Sequence, residues 1–385
     1  MTSSSDFPPP PTELAVRASA LAGVTLAGLM AVGLVATGML MVSGKVQWLP
    51  PDTTTDTVLH GNVTHAFAKQ LSGTFLAQRM ADLERGASWL LLHDTGPRVR
   101  QGCPGWLFLA DEFKLNRNAR ANADTKAQAV IELQRTLSKR GIELLVAIVP
   151  DKSRIAASAL CSLYRPAVLQ NRVTAWTSTL HAAGIKAVDL TASLQPLGAD
   201  AYLRTDTHWS ETGADAAART VALHVKNMGI AATPTRSFDT QSSPQAVRPG
   251  DLVRLAGLEW LPLSLQPPAQ YVAATQIVEQ VIEQGDTASA DADNLDDLFG
   301  DSNLPNVALI GTSFSRNSNF VGFLQRALGA PIGNFAKDGG EFSGAATAYF
   351  DNPAFKQTPP KLLIWEIPER DLQTPYVDVV KVKPL

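Results

Sequence analysis

The chain has 385 residues, and its 33 Lys and Arg against 36 Asp and Glu give a formal charge of −3, which excludes the strongly basic balance of a nucleic-acid binder. With 45% hydrophobic and 18% charged residues it has material for one large core or two smaller ones and is not disordered overall. Its composition is also not that of a collagen, a coiled coil or a disulfide scaffold. The average conceals one asymmetry: Ala18 to Gly44 is a run of 27 residues without a charge, bounded by Arg17 and Lys45. Within it, Leu21 to Val42 supplies the roughly 20 apolar residues that a helix needs to cross a hydrocarbon layer ~30 Å thick. A cleaved signal peptide, the rival, has an apolar region of about 7–15 residues and a small-x-small cleavage site, and no convincing site follows here. The segment 18–44 is therefore expected to be an uncleaved signal anchor behind a short cytoplasmic tail, 1–17.

Residues 45–59 are rich in Pro and Thr and read as a linker, with the folded domain expected over 60–385. Residues 62–92 are helical in pattern, and Gly102 to Leu109 reads as a turn feeding a short buried strand. Helices and strands then alternate: helix 124–139, strand Ile142 to Val149, helix 168–183, strand Ile185 to Leu190 and helix 210–226. From about 230 to 300 the rhythm stops, with no Lys or Arg between Leu255 and Ser315 and nine acids from Glu259 to Asp301, so an insertion is expected. Asp291, Asp293, Asp296 and Asp297 do not match an EF-hand loop and read as a solvated acidic loop. The alternation resumes with strand Val307 to Ile310, helix 317–328, strand Ile332 to Phe335, helix 342–351 and strand Leu362 to Glu366. This is an α/β sandwich. The only cysteines, Cys103 and Cys161, belong to no C-x-x-C pair; a single disulfide in an exported domain is expected, with two buried thiols as the alternative.

Gly311-Thr312-Ser313-Phe314-Ser315 directly follows an apolar strand, which puts Ser313 at the C-terminal edge of a sheet, where nucleophiles of α/β folds sit. A following helix would aim backbone N–H groups and a partial positive charge at an oxyanion. An ordinary N-cap serine fits the same letters, and Ser at 315 departs from G-x-S-x-G. Of the six histidines, only His208 lies in a polar pre-helical loop beside a carboxylate. In an extended Asp206-Thr207-His208 both side chains share one face, so Asp206 can fix the imidazole tautomer while the other nitrogen faces a serine. The competing readings are a metal pair, which lacks a third ligand at suitable spacing, and a helix-capping Asp206.

The string Tyr202-Leu203-Arg204-Thr205-Asp206-Thr207-His208-Trp209, the later Gly-Thr-Ser-Phe-Ser and Ile364-Trp365-Glu366-Ile367-Pro368-Glu369-Arg370 are similar to the AlgJ/AlgX family of alginate O-acetyltransferases. The likeness extends through Thr64 to Phe67, Gly105 to Phe108 and Asn334 to Gly340. It implies an SGNH-hydrolase-like three-layer α/β sandwich in circularly permuted order, with Ser313 as nucleophile, His208 as base and Asp206 as orienting acid. Because the chain ends 15 residues after Arg370, without room for a C-terminal carbohydrate-binding module, the AlgJ-like branch is expected. Oxyanion donors are expected from the Ser313 N–H, with Asn334, Gly339 and Gly340 as further candidates. Arg316 and Arg370 are candidates to contact an anionic sugar, against a salt bridge or a plain surface charge, and Trp106, Trp209 and Trp365 to offer a ring face to one, against core packing.

The resemblance further implies a periplasmic catalytic domain on a single-pass inner-membrane anchor, acetylating alginate or another exported polysaccharide through an acyl-serine. No metal and no soluble cofactor are expected: acetyl would be passed on by a membrane-bound O-acyltransferase partner, beside other exopolysaccharide export proteins. A carbohydrate acetylesterase and a noncatalytic scaffold of the export complex are the alternatives.

Overall fold

The computed structural model describes residues 19–43, 49, 53–280, 304–376 and 380. The tail expected over 1–17, most of the linker before Thr53, and Asp291, Asp293, Asp296 and Asp297 lie outside the described residues. The chain divides into two units, 1–84 and 85–385.

In the first unit, helix α1 (Ala20–Val42) starts at Ser19, whose hydroxyl accepts the Ala22 N–H, and carries exposed Leu, Val and Met along its whole length. A helix apolar on every side needs apolar surroundings, and α1 is long and apolar enough to cross a membrane. Helical structure resumes at Thr55, earlier than expected, because Thr54 and Thr57 cap one another's backbone in a short helix, Thr55–Leu59. The single helix expected over 62–92 is two, α2 (Asn62–Ser72) and α3 (Phe75–Leu92). They separate at Gly73-Thr74, where the Gly73 and Thr74 N–H groups and the Thr74 hydroxyl turn back onto carbonyls of the last turn of α2.

The second unit begins within α3, at Arg85, and goes on to an antiparallel hairpin of β1 (Val99–Gln101) and β2 (Leu107–Leu109). Strands β3 (Glu143–Val149), β4 (Lys186–Asp189), β5 (Phe238–Arg248), β6 (Gln270–Glu279), β7 (Val307–Ile310), β8 (Gly333–Asn334) and β9 (Leu362–Pro368) follow. Five of them form one parallel sheet in the order β4-β3-β9-β7-β8. Side chains alternate across it as strand geometry requires. Leu144, Val146, Ile148, Leu363 and Trp365 face a core shared with helices α4 (Ala119–Ser138), α5 (Arg172–Ala182) and, further along, α8 (Gly344–Asp351). Leu145, Ala147, Val149, Leu362 and Ile364 face the opposite core, with α6 (Glu211–Asn227) and α7 (Phe320–Leu328). Trp209 and Trp365 are thus core residues, 0% and 1% exposed, and offer no face to a sugar; Trp106 is part-buried and stacks on Phe108.

Counted from β7, the sheet order reads 2-1-3-4-5, the doubly wound order whose switch point lies between the first and third strands. The chain, however, enters at the fourth of those strands, β3, and makes the central one, β9, last. This is the permuted SGNH-like sandwich. β7 and β9 are neighbours, and the site lies at their carboxyl ends.

The insertion is not featureless. β5 and β6 form an antiparallel ribbon, with the short helix Asp251–Leu255 between them. Helix α7 starts at Phe320, later than expected, since Ser318 and Asn319 sit at φ 51° and 54° and cannot continue a right-handed helix.

At the ends of β3 and β9 a buried ionic cluster binds the emerging loops. Glu369 accepts from Arg154 (2.5 Å), Arg165 (2.7 Å) and Arg172 (2.8 Å), while Arg172 also grips Asp151. Burial opposes the Glu369 charge, but the three guanidinium groups hold its carboxyl down to about 2. Cys103 and Cys161 are joined in a disulfide that closes 58 residues of chain. Loop-closure entropy for such a separation corresponds to about 4 kcal/mol. The double variant Cys103→Ser, Cys161→Ser is expected to lose roughly that amount, read as a lower unfolding free energy from urea titration, with a steeper slope because the unlinked denatured chain exposes more surface.

Candidate active site

At the end of β7, Ile310 is paired with Trp365 of β9, and the chain turns at Gly311. A Cβ on Gly311 would lie 2.5 Å from Glu366 Oε2, so only glycine admits the approach. Glu366 is buried, and its carboxylate accepts the Thr312 N–H at 2.6 Å, the Thr312 hydroxyl at 3.0 Å and the Ser315 hydroxyl at 3.0 Å. Burial pushes its pKa up against these bonds. Ser315, which spoils the usual nucleophile-elbow pattern, is therefore an inward-facing support. Between the two anchored residues, Ser313 is turned outward. The helix N-terminus expected here is a four-residue 3-10 turn, Ser313–Arg316, capped by Thr312, and α7 begins only beyond it.

The segment Leu203–Trp209 comes to Ser313 from the other side of the sheet end. It is pinched by the Leu203 N–H to His208 carbonyl bond and by the Tyr202–Trp209 bridge. Asp206 Oδ1 accepts both the His208 main-chain N–H at 2.9 Å and His208 Nδ1–H at 2.6 Å. With Nδ1 committed, Nε2 is left to accept the Ser313 hydroxyl proton at 2.7 Å. His208 packs edge-on against Phe314. Burial opposes the Asp206 charge, yet the His208 side-chain and backbone bonds bring its carboxyl down to about 2. The fold thus brings Asp206, His208 and Ser313 together as one bonded line.

Two clefts meet at Ser313 and Gly339. One, about 640 Å³, is bordered by Arg248, Arg254, Asp251, Glu259 and Asp338. The other, about 450 Å³, is bordered by Lys114, Arg370, Asp111, Glu341 and Asp371. Neither is a basic groove. Among the described residues no acceptor takes the N–H of Ser313 or Gly339, whereas the Gly340 N–H is spent on Lys337 O at 3.2 Å. Asn334 lines neither cleft; its side chain caps the Ala336 N–H in a separate hollow that also holds Arg316. Arg316 is exposed and pairs with Asp338 at 3.5 Å. Arg370 lines the second cleft with its guanidinium over the Phe314 ring, 5.2 Å from the centroid, and the strand-end ion pairs are made by its neighbour Glu369 instead.

A family model described as the SGNH hydrolase-like domain of the acetyltransferase AlgX matches residues 99–369. The probable alginate O-acetylase AlgJ of Pseudomonas aeruginosa is 33% identical over 322 residues, 82% of this chain and 81% of that protein. The chain belongs to the AlgJ/AlgX family of alginate O-acetyltransferases. Among solved structures, the O-acetyltransferase domain of Pseudomonas putida AlgJ is similar with a TM-score of 0.61 and 28% identity, covering 72% of this chain and 94% of that one. Pseudomonas aeruginosa AlgX follows at a TM-score of 0.52 and 25% identity, covering 70% and 62%.

Three residues of this AlgJ/AlgX-family site are given no role by the motifs. Asp251, from the insertion, accepts the Thr207 N–H (2.7 Å) and hydroxyl (3.1 Å), and its other oxygen lies 3.9 Å from His208 Nδ1. Arg248 donates to Asn317 at 3.3 Å and lies close enough to stabilise the Asp206 charge. Glu366 is hidden inside a strand motif. The Pro249-Gly250-Asp251 turn is the signal that could have found Asp251: a Cβ on Gly250 would stand 1.9 Å from Thr205 O, so this glycine lets the insertion press on the His208 loop. Asp206, His208 and Asp251 bring ligand-type atoms within 4.8 Å of one another, but both His208 nitrogens are already engaged, by Asp206 and Ser313.

Gly311→Ala is expected to leave a folded protein whose Ser313 is displaced, with the turnover of a small acetyl ester falling about 100-fold, the scale of loss for a misplacement of an ångström. The depressed Asp206 carboxyl also sets an acid-stability limit. Its folded pKa, about 2, lies below the unfolded value of about 4, so its contribution of about 2 kcal/mol is complete above pH ~4 and is lost as pH falls through ~2. In Asp206→Asn the denaturation midpoint is expected to depend less on pH across that window.

Proposed function

We propose that this chain is an O-acetyltransferase that passes an acetyl group through Ser313 to a hydroxyl of an exported polysaccharide, alginate being the polymer in its relatives' names. The observation that carries this reading is the bonded line from Asp206 Oδ1 through His208 to Ser313 Oγ, 2.6 and 2.7 Å, opening on two clefts. His208 Nε2 takes the Ser313 proton as Oγ attacks the acetyl carbonyl of the donor, and the imidazolium is stabilised by the ionised Asp206. The tetrahedral oxyanion is met by the N–H groups of Ser313 and Gly339. The proton then passes from His208 to the leaving group, and acetyl-Ser313 remains. In the second half, a sugar hydroxyl gives its proton to His208 and attacks the ester carbonyl, and Ser313 recovers its proton as it leaves. α1 would hold the domain on the periplasmic side of the inner membrane, beside a membrane-bound O-acyltransferase that supplies the acetyl group. No soluble cofactor enters this scheme.

The test is to give the full-length protein in detergent an acetyl ester with oligouronate or neutral oligosaccharides, in parallel with Ser313→Ala. Mass spectrometry is expected to find acetylated oligosaccharide with wild type only, and Ser313→Ala to lose at least about 1,000-fold in rate. Acetate without acetylated sugar would make the protein an esterase. Equal rates for the two proteins would refute the role of Ser313 altogether.

A further inference from the structure

Lys152 follows Asp151 at the carboxyl end of β3 and opens a one-turn helix, Lys152–Ile155. It is 1% exposed, with its ammonium against the rings of Trp106 and Phe108, 5.1 and 5.0 Å from their centres. Its three N–H bonds are used on main-chain carbonyls: Leu107 at 2.6 Å, Arg204 at 2.9 Å and Asp206 at 3.0 Å. No carboxylate lies at ion-pair distance among the described residues. The acids that face it are Glu112 of the turn after β2, Asp206 of the His208 loop, and Asp251 of the insertion, and burial outweighs their pull, lowering the ammonium to about 7.

An ammonium buried without an ion pair is a poorer core residue than a methionine of similar length, so packing gives no reason for it. The carbonyls do. Arg204 O is also reached by the Leu107 N–H, but Asp206 O has no other donor among the described residues. The residue whose carboxylate orients His208 therefore has its own peptide group held by Lys152. We infer that Lys152 is a positioning residue for the Asp206–His208 pair: its ammonium ties the 204–206 backbone to β2 and to the end of β3, so that the Asp206 side chain is presented to His208 and not to solvent. This rests on the proposed roles of Asp206, His208 and Ser313.

The full chain in detergent is assayed for acetyl-ester hydrolysis as wild type, Ser313→Ala, Lys152→Met and Lys152→Ala, with cooperative melting and protease resistance measured on each. Lys152→Met is expected to melt cooperatively and to lose about 100-fold in kcat with KM moved less than about threefold. Removing a cation from behind His208 also makes imidazolium easier to form, so the acid limb of its kcat/KM profile is expected to move up by about half a pH unit or more. In Lys152→Ala, ethylammonium chloride is expected to restore kcat at least about tenfold over sodium chloride at equal ionic strength, by occupying the vacated space. The inference is overturned if folded Lys152→Met keeps kcat within about threefold of wild type, or if neither the acid limb moves nor ethylammonium restores activity. It is equally overturned if both Lys152 variants fail to fold, because the residue then holds the fold and not the pair. A Ser313→Ala protein as active as wild type would instead bring down the triad reading.

Discussion

The carboxylate of Glu366 is the contact on which the rest of the site depends. It sits on β9, at the centre of the sheet, and reaches across to the turn after β7, where it accepts from one backbone N–H and two hydroxyls. A buried carboxylate left unsatisfied would be costly, and so would the Thr312 and Ser315 hydroxyls without it. Each side therefore fixes the other, and Ser313 is the residue between them that has to face outward. Asp206 plays the corresponding part on the facing loop, with one oxygen collecting a backbone and a ring N–H from the same histidine. The two acids differ in how they are answered. Glu366 receives uncharged donors in a dry interior and has its pKa raised, whereas Asp206, answered by a group that can become cationic, has its pKa lowered.

Sequence patterning carried the parts of this arrangement that are local. β7 is an unbroken apolar run, β3 is one beyond its exposed first residue Glu143, and β9 is one broken only by Glu366; Asp206-Thr207-His208 and Gly311 to Ser315 are short enough to be read as units. What could not be read depends on residues distant in the chain. Glu366 looks like one polar interruption of a strand until the 311–315 turn is laid over it, and Ser315 looks like a departure from a motif until it is seen to bond Glu366. Asp251 and Lys152 reach the His208 loop from 44 and 54 residues away. The β5–β6 ribbon escaped because most of its residues are exposed, which leaves no apolar alternation to detect. Asn334, a candidate by motif likeness, and Arg316, a candidate by charge, share a separate hollow that Ser313 does not line.

The near-neutral net charge left room for a basic groove beside the serine. In both clefts cations and acids instead alternate along the walls. Over a Debye length their fields largely cancel, so little long-range attraction acts on a charged polymer. Arg370, braced on Phe314, borders the second cleft together with Ser313.

The permuted strand order has a consequence for biogenesis. β9, the last of the five strands to be made, lies between β3 and β7 and pairs with both. Until it arrives, each of those strands presents an open parallel edge, and the turn that carries Ser313 lacks the Glu366 carboxylate. A chain emerging from the ribosome therefore cannot settle the sheet, or complete the 311–315 turn, from its leading portion. The sheet closes, and the turn that carries Ser313 is completed, only when the strand made last of the five is in place.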